Sequence, residues 1–397
     1  MQTRRQVLAA GAGLALMPQI GASQAGAAGP QELILGYAMA KTGPYVSLAA
    51  ANEVAVDFAV EEINAKGGIN GKRLKVVKFD TGGEPRQAQL AVRQLAEDGK
   101  ALAIIGPFSS SEVRIAFPAG ERAGIAQMSM ASSAPNLAKG FSFAFRNTTD
   151  EAQVIDQVLA AIKAKGLPAA SGAVAFASDD TVSKSIGISV LPTLFPKHGV
   201  PILGSVDFQL AAFDLSPQVS KIAQMKPDIV GLGAPPEGAI NLAKELRRQG
   251  VRTRVIGGTT IADPDLPARM DGAGETMTIG TTFFHDVDER TRAFTAEFGK
   301  RARAAGLARV EPNQFDASVY DIVYLYAEAM KVANLTGDPA RATEERVKLR
   351  DALRALKNYP ALEGPISFNA DGDAIKPVYI VEVRQGKWAL LDKRTAA

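Results

Sequence analysis

Residues 101–112 read Ala-Leu-Ala-Ile-Ile-Gly-Pro-Phe-Ser-Ser-Ser-Glu. The apolar run has the composition of a strand buried on both faces, Gly106-Pro107 interrupts it, and the serines before Glu112 read as a helix start. A buried strand that runs straight into a helix belongs to a βαβ unit on a parallel sheet. Such open sheets bind ligands beyond the carboxyl ends of their strands, where Ser109 and Ser110 fall. Two readings of these serines stand side by side. In the plain one, a single serine caps the helix and the others are solvated. In the other, spare hydroxyls join the first-turn N–H groups in an anion site.

A second stretch repeats the pattern. Ile125-Ala-Gln-Met-Ser-Met-Ala-Ser-Ser-Ala-Pro-Asn-Leu137 is a short strand ending in small hydroxyl residues, among them Ser132 and Ser133. Two hydroxyl-rich ends on neighbouring strands would converge on one small volume, which favours a shared carboxylate or other polar head group over two unrelated caps.

Outward from these stretches the alternation continues. Strands are expected at Leu33–Tyr37, Leu74–Phe79 and Ala101–Ile105, with helices near Ala50–Asn64 and Pro85–Asp98 between them. A second series begins with a helix over Asp150–Lys165, followed by strands at Ala173–Phe176, Ile202–Phe208, Asp228–Leu232 and Arg254–Ile256. The length of 397 residues suits two such domains. Gly67-Gly-Ile-Asn-Gly71 marks a turn between elements.

Ahead of the first strand, Arg4 and Arg5 precede an apolar stretch from Val7 to Met17 that is too short to span a bilayer. Small residues follow in Ala22-Ser-Gln-Ala25 and Ala25-Gly-Ala27, so residues 1–28 are expected to form a cleaved export signal of twin-arginine-like order, with the mature start between Gly26 and Gly29. The expected destination is the periplasm.

Composition excludes several chemistries. The chain has no cysteine, hence no disulfide, thiolate metal site, cysteine nucleophile or lipobox anchor. Lys plus Arg minus Asp plus Glu is 45 minus 42, or +3, which becomes +1 when Arg4 and Arg5 leave with the signal. That near-neutral balance gives no footprint for nucleic acid. The two histidines, His198 and His285, have no metal-binding spacing, and no nucleophile elbow, phosphate loop or dinucleotide fingerprint is present. Asp179-Asp180 reads as a helix cap and His198 as a residue at a helix carboxyl end. The expectation is therefore a non-enzyme without cofactor or metal.

The motifs together resemble a known family. Thr42-Gly-Pro44, Ala59-Val-Glu-Glu-Ile-Asn-Ala-Lys-Gly-Gly-Ile-Asn-Gly71, Ile105-Gly106 with its serines, Phe145-Arg146, Pro227-Asp-Ile-Val230 and Gly364-Pro-Ile-Ser-Phe-Asn-Ala-Asp-Gly372 look like the branched-chain amino-acid-binding proteins of ABC transporters, over essentially the whole mature chain. The resemblance implies a type I periplasmic-binding fold: two Rossmann-like α/β lobes with parallel sheets, joined by three crossovers and closing on ligand as a hinged trap. It places the crossovers near Asn147–Asp150, Phe283–Asp286 and Leu356–Glu363. One lobe is then residues 31–148 and 285–358, and the other 149–284 and 359–397. It also implies a small-molecule ligand, a membrane permease as partner and a monomeric receptor.

Carried over by position, the family's carboxylate contacts fall on Ser110, the N–H of Ala131 and Ser133, with Ser109 and Ser132 beside them. The position that supplies an acid to a ligand ammonium falls on Thr259, and aromatic wall positions fall on Leu48, Val182 and Pro235. A buried ammonium without a counter-charge costs several kcal/mol. The expected ligand is therefore a carboxylate lacking an α-amine, aromatic or apolar in body. The alternatives are an ordinary amino acid, with Asp263 or Glu237 supplying the acid, and a periplasmic sensory protein on the same fold. Phe284 and His285, at the second crossover, are expected to face the cleft, where an aromatic ring can stack on a ligand and an imidazole can bond a hydroxyl. Arg146 is expected to pair with an acid across the hinge.

Overall fold

The computed structural model describes residues 32–394; the export-signal reading lies outside them. In the first lobe the strands are β1 (Glu32–Met39), β2 (Arg73–Asp80), β3 (Ala103–Ile105), β4 (Ala126–Ser129) and β5 (Ala144–Arg146). They form a parallel sheet in the order β2-β1-β3-β4-β5. Alternation along β1 explains how it is covered on both sides. Leu33, Leu35 and Tyr37 join one core with the helices Asn52–Ala65 and Gln314–Val332, while Ala38 meets the helix Pro85–Glu97 on the other face.

The second lobe holds β6 (Gly172–Ala177), β7 (Ile202–Phe208), β8 (Ile229–Gly233), β9 (Arg254–Gly257) and β10 (Thr278–Thr281). Three short strands come next, β11 (Tyr359–Ala361), β12 (Gly364–Phe368) and β13 (Ala374–Ile375), and then β14 (Val378–Arg384) and β15 (Lys387–Arg394). The second sheet runs β15-β14-β10-β9-β8-β6-β7, parallel except that β14 is antiparallel to both of its neighbours, β10 and β15.

The chain passes between lobes from β5 into the helix Glu151–Ala164, and from β10 into the helix Glu289–Ala304. The third crossover lies later than residues 356–363. Ala361, Leu362, Ile366, Phe368 and Ala374 are buried in the first lobe's core, whereas Val378 and Ile380 belong to the second lobe. The passage is thus at Lys376-Pro377, because the apolar side chains of the β11–β13 hairpins need the first lobe's helices to cover them.

The three crossovers meet at one buried carboxylate. Glu363 Oε1 accepts from Thr282 Oγ1 at 2.6 Å, and Oε2 accepts from Lys376 Nζ at 2.6 Å and Asn147 Nδ2 at 3.2 Å. Asp321, on the long helix behind, accepts from the N–H groups of Leu362 and Glu363 at 2.7 and 2.9 Å.

Candidate functional site

The strand end at Ile105 turns at Gly106, whose φ of +93° and closeness to the Ala38 carbonyl leave no room for a side chain. The helix Ser110–Ala123 starts at once, and Ser109 is its cap: its hydroxyl accepts from Glu112 N–H at 3.3 Å and Glu112 Oε2 accepts from Ser109 N–H at 2.8 Å. Glu112 is held in turn by Thr81, and burial pushes its carboxyl up. Ser109 is therefore committed to the helix. Ser110 Oγ accepts from Ala134 N–H at 3.3 Å, which leaves its own hydrogen to donate elsewhere.

Across from Ser110, the loop after β4 presents Ala131 and Ser133. The Ala131 N–H makes only a long 3.4 Å bond to Ser129 Oγ. Arg146 fixes this loop, donating from Nη1 to the carbonyls of Ser132 and Ala134 at 2.8 and 2.6 Å while its other nitrogens grip Asp373 at 2.5 and 2.7 Å.

These groups open on a pocket of about 470 Å³ between the lobes. The first lobe supplies Tyr45, Leu48, Phe108, Ser109, Ser110, Ala131, Ser133 and Phe315; the second supplies Val182, Pro235, Thr259, Thr260 and Asp180. The Phe108 ring meets Phe315 edge-on with centroids 5.2 Å apart and tilts against Tyr45 at 5.5 Å, so one wall is aromatic. Leu48 is pinned through its carbonyl, which accepts from Asn313 Nδ2 at 2.9 Å and Arg309 at 3.2 Å. Thr260 Oγ1 is buried at the wall without a protein partner. A polar cradle on one side and an apolar, partly aromatic wall on the other suit a ligand with an anionic head and an apolar body.

A larger hollow of about 1530 Å³, lined by Arg247, Arg252, Arg254 and Thr276, sits at the amino ends of β8, β9 and β10, the wrong end of the sheet for a ligand site of this fold.

With the site built, comparison with known proteins decides the family. The profile of the periplasmic binding protein family matches residues 33–387. The chain belongs to the periplasmic binding protein family. An amino acid binding protein of Pseudomonas aeruginosa is 28% identical over 319 residues, 79% of this chain and 82% of that one. The branched-chain amino acid transporter substrate-binding protein of Streptococcus pneumoniae, solved in complex with isoleucine, superposes with a TM-score of 0.78 at 21% identity, over 92% of this chain and 99% of that chain. A solute-binding protein of an ABC transporter from R. palustris, solved with 4-hydroxybenzoate, gives 0.78 at 18% identity over 92% and 97%. The two structural matches establish the type I fold.

Within this binding protein, the structure brings Ser109, Ser110, Ala131, Ser133, Leu48, Val182, Pro235 and Thr259 to one pocket. Ser132 is fully buried behind it, its hydroxyl without a partner. Phe284 and His285 face the space between the lobes as expected, but they do not reach this pocket, which corrects their expected place among the ligand contacts. They line a second hollow of about 370 Å³ with Asp263, Asn313, Gln314 and Trp388. The reason is local: Phe283 is buried in the first lobe against Phe294, and the residues after it turn to the side where His285 packs against Phe284. Gln314, whose side-chain N–H donates to the Thr259 carbonyl at 2.9 Å, lies between the two hollows.

The acids are not where the alternative reading put them. Asp263 faces the second hollow, and Glu237 is exposed and paired with Arg269 at 2.8 Å. The carboxylate on the wall is Asp180, which sequence reading treated only as a cap. It does cap the helix Thr181–Ser185, its Oδ2 accepting from Ser183 N–H at 2.9 Å and Ser183 Oγ at 2.6 Å. A second acid, Glu151, lies just behind Ser133 and Thr259, fully buried, and burial pushes its carboxyl up to about 7.

Gly258 makes room for Glu151. A Cβ there would stand 1.7 Å from Glu151 Oε2, although the Gly258 backbone, at φ −110°, is ordinary for any residue. Gly258→Ala is therefore expected to displace Glu151 and cost roughly 1–3 kcal/mol of stability, the range of overpacking a dense interior. Thermal unfolding of the variant, together with a ligand titration, checks this; an unchanged melting temperature contradicts it.

Proposed function

We propose that this protein is the periplasmic receptor of an ABC importer for a small organic carboxylate with an aromatic or apolar body and no α-amino group. The observation that carries the reading is the cradle of Ser110, the Ala131 N–H and Ser133 facing a wall of Tyr45, Leu48, Phe108, Phe315, Val182 and Pro235, with Thr259 lining it where the family resemblance expects an acid. Each lobe contributes to the pocket, so a ligand gains its full set of contacts only when the lobes are together, and that difference drives hinge closure. A permease in the membrane is the partner that reads the closed shape, and the receptor works as a monomer. Structural neighbours with the same TM-score hold 4-hydroxybenzoate in one case and isoleucine in another, so the choice between the classes rests on the pocket.

One observation favours a second reading, an ordinary amino acid. Asp180 stands on the pocket wall and could face an ammonium. Its Oδ2 accepts two hydrogen bonds from Ser183 as a helix cap, which leaves only Oδ1 open to an ammonium.

A thermal-shift screen of benzoate, 4-hydroxybenzoate, other aromatic acids and the common amino acids tests the proposal. A ligand present at about a hundredfold excess over its dissociation constant stabilises by about 2.7 kcal/mol, a rise of several degrees. The expected result is a shift with aromatic acids and none with leucine or isoleucine. A shift with the amino acids alone overturns it.

A further inference from the structure

Ser133 and Thr259 stand on opposite lobes, and one side chain behind them touches both. Glu151 Oε1 accepts from the Ser133 hydroxyl at 3.1 Å and from the Thr259 hydroxyl, and Oε2 accepts from the Thr259 N–H at 3.2 Å. The Glu151 N–H donates to the Ser133 carbonyl at 2.9 Å, so the residue is fixed at both ends of its reach. It is fully buried, and no ion pair among the described residues includes it.

The surrounding charges give it no cation. Asp150, the residue before it, sits 3.5 Å from Arg146, which is itself spent on Asp373. Further along the same helix, Asp156 holds Lys197 and His198, both at the carboxyl end of the neighbouring helix Leu191–Lys197. Of the strands packed on this helix, β10 has no ionisable side chain, β9 has Arg254 and β14 has Tyr379, Glu382 and Arg384. Arg254 and Arg384 both pair with Glu382, at the start of β9 and the end of β14, away from Glu151. Asp180 and Lys184 belong to the short helix across the pocket, and Asp316 of the first lobe is taken by Arg309.

The number of hydrogens available to these oxygens decides how the pocket receives an anion. An ionised Glu151 uses the hydrogens of both hydroxyls, so Ser133 and Thr259 turn lone pairs towards the pocket, and a negative charge lies beneath them. A protonated Glu151 donates its own hydrogen to the Ser133 oxygen and releases the serine hydrogen for the ligand. We propose that Glu151 is a positioning residue that is protonated in the ligand-bound receptor, drawing the proton from solvent wherever it is not already held, so that an anion and a proton are held together. This rests on the carboxylate reading of the pocket. Burial supports it by placing the unliganded group near its midpoint at neutral pH, at about 7.

Only the protonated form is competent, so its fraction falls as pH rises and the apparent dissociation constant rises in proportion. Calorimetric titration of the full protein with 4-hydroxybenzoate and with isoleucine, at pH 6, 7 and 8 in pairs of buffers with different ionisation heats, reads this directly. For 4-hydroxybenzoate we expect roughly tenfold weaker binding at pH 8 than at pH 6 and uptake of about half a proton per ligand at pH 7. Glu151→Gln, which keeps the shape and can donate to Ser133, should bind with one affinity across that range, near the wild-type value at pH 6. If 4-hydroxybenzoate binds with a flat profile and buffer-independent heats, the proton proposal falls and the ligand reading stands. If isoleucine alone binds, or neither ligand binds, both fall. A Glu151→Gln variant that keeps the wild-type slope also overturns the proposal, because a neutral amide has no proton to take up.

Discussion

Replacing Lys376 with methionine is expected to destabilise the protein by about 3–5 kcal/mol, the cost of leaving a buried carboxylate without its partner. Lys376 and Glu363 are both fully buried, and the ammonium donates to Glu363 Oε2 and to the Asn147 carbonyl, each at 2.6 Å. Removing it leaves Glu363 with only the Thr282 hydroxyl and the Asn147 amide, beside a second carboxylate, Asp321. Burial and the nearby Glu363 already push the Asp321 carboxyl up, so a Glu363 charge left without Lys376 finds no favourable neighbour here. The paired change Glu363→Gln with Lys376→Met removes both charges, and we expect it to recover a large part of the loss. Denaturant unfolding of the two variants beside the wild type checks this. Equal losses for the single and the double variant would contradict the charge argument and leave packing as the cause. Because Asn147, Thr282 and Lys376 stand on the three crossovers, the single variant should also loosen the hinge, lowering ligand affinity without touching the pocket.

The second large effect is at Arg146. Its guanidinium is completely buried and makes a two-pronged pair with Asp373, while its remaining nitrogen holds the loop that carries Ala131 and Ser133. Arg146→Ala strands Asp373 and two carbonyls in the interior, and a loss of about 3–5 kcal/mol is expected. Arg146→Lys separates the two roles, since a lysine keeps the charge but has no planar fork to span Asp373 and both carbonyls. It should unfold at an intermediate denaturant concentration and bind ligand at least roughly tenfold more weakly, because the loop N–H groups lose their fixed direction. Unfolding and titration of the two variants check this. Undiminished binding in Arg146→Lys would show that the loop is held by other contacts.

Arg146 meets an acid as expected, but Asp373 belongs to the same lobe and not to the far side of the hinge, because the β12–β13 turn that carries it packs on the first lobe. Asp373 lies in the turn of a hairpin 227 residues away, and no local pattern links the two. The strand series was legible because parallel strands buried on both faces are continuous apolar runs such as Ala101–Ile105. Strand β10, Thr-Ile-Gly-Thr, was not, since hydroxyls and a glycine interrupt its apolar character. Nor were β11 to β13, whose short pieces take their burial from the first lobe's helices. In the site, hydroxyls after strands marked Ser110 and Ser133. Tyr45, Phe108 and Phe315 were missed because three distant segments bring them together, and helix caps drew attention away from Asp180 and Glu151. An acid just inside a helix start reads as a favourable partner of the helix dipole, and nothing in its neighbours reveals the serine that reaches it from the other lobe or the threonine more than a hundred residues on that reaches it within its own.

The selectivity of the pocket is the central claim, and a matched pair of ligands tests it most directly. Phenylalanine and 3-phenylpropionate share a ring, a chain and a carboxylate and differ by one ammonium group. Calorimetric titration of both into the same preparation isolates the worth of that group. We expect 3-phenylpropionate to bind at least roughly tenfold more tightly, since an ammonium in the pocket loses its water and meets only the one Asp180 oxygen that the helix cap leaves open. Tighter binding of phenylalanine would contradict the claim and assign Asp180 or Glu151 as its counter-charge.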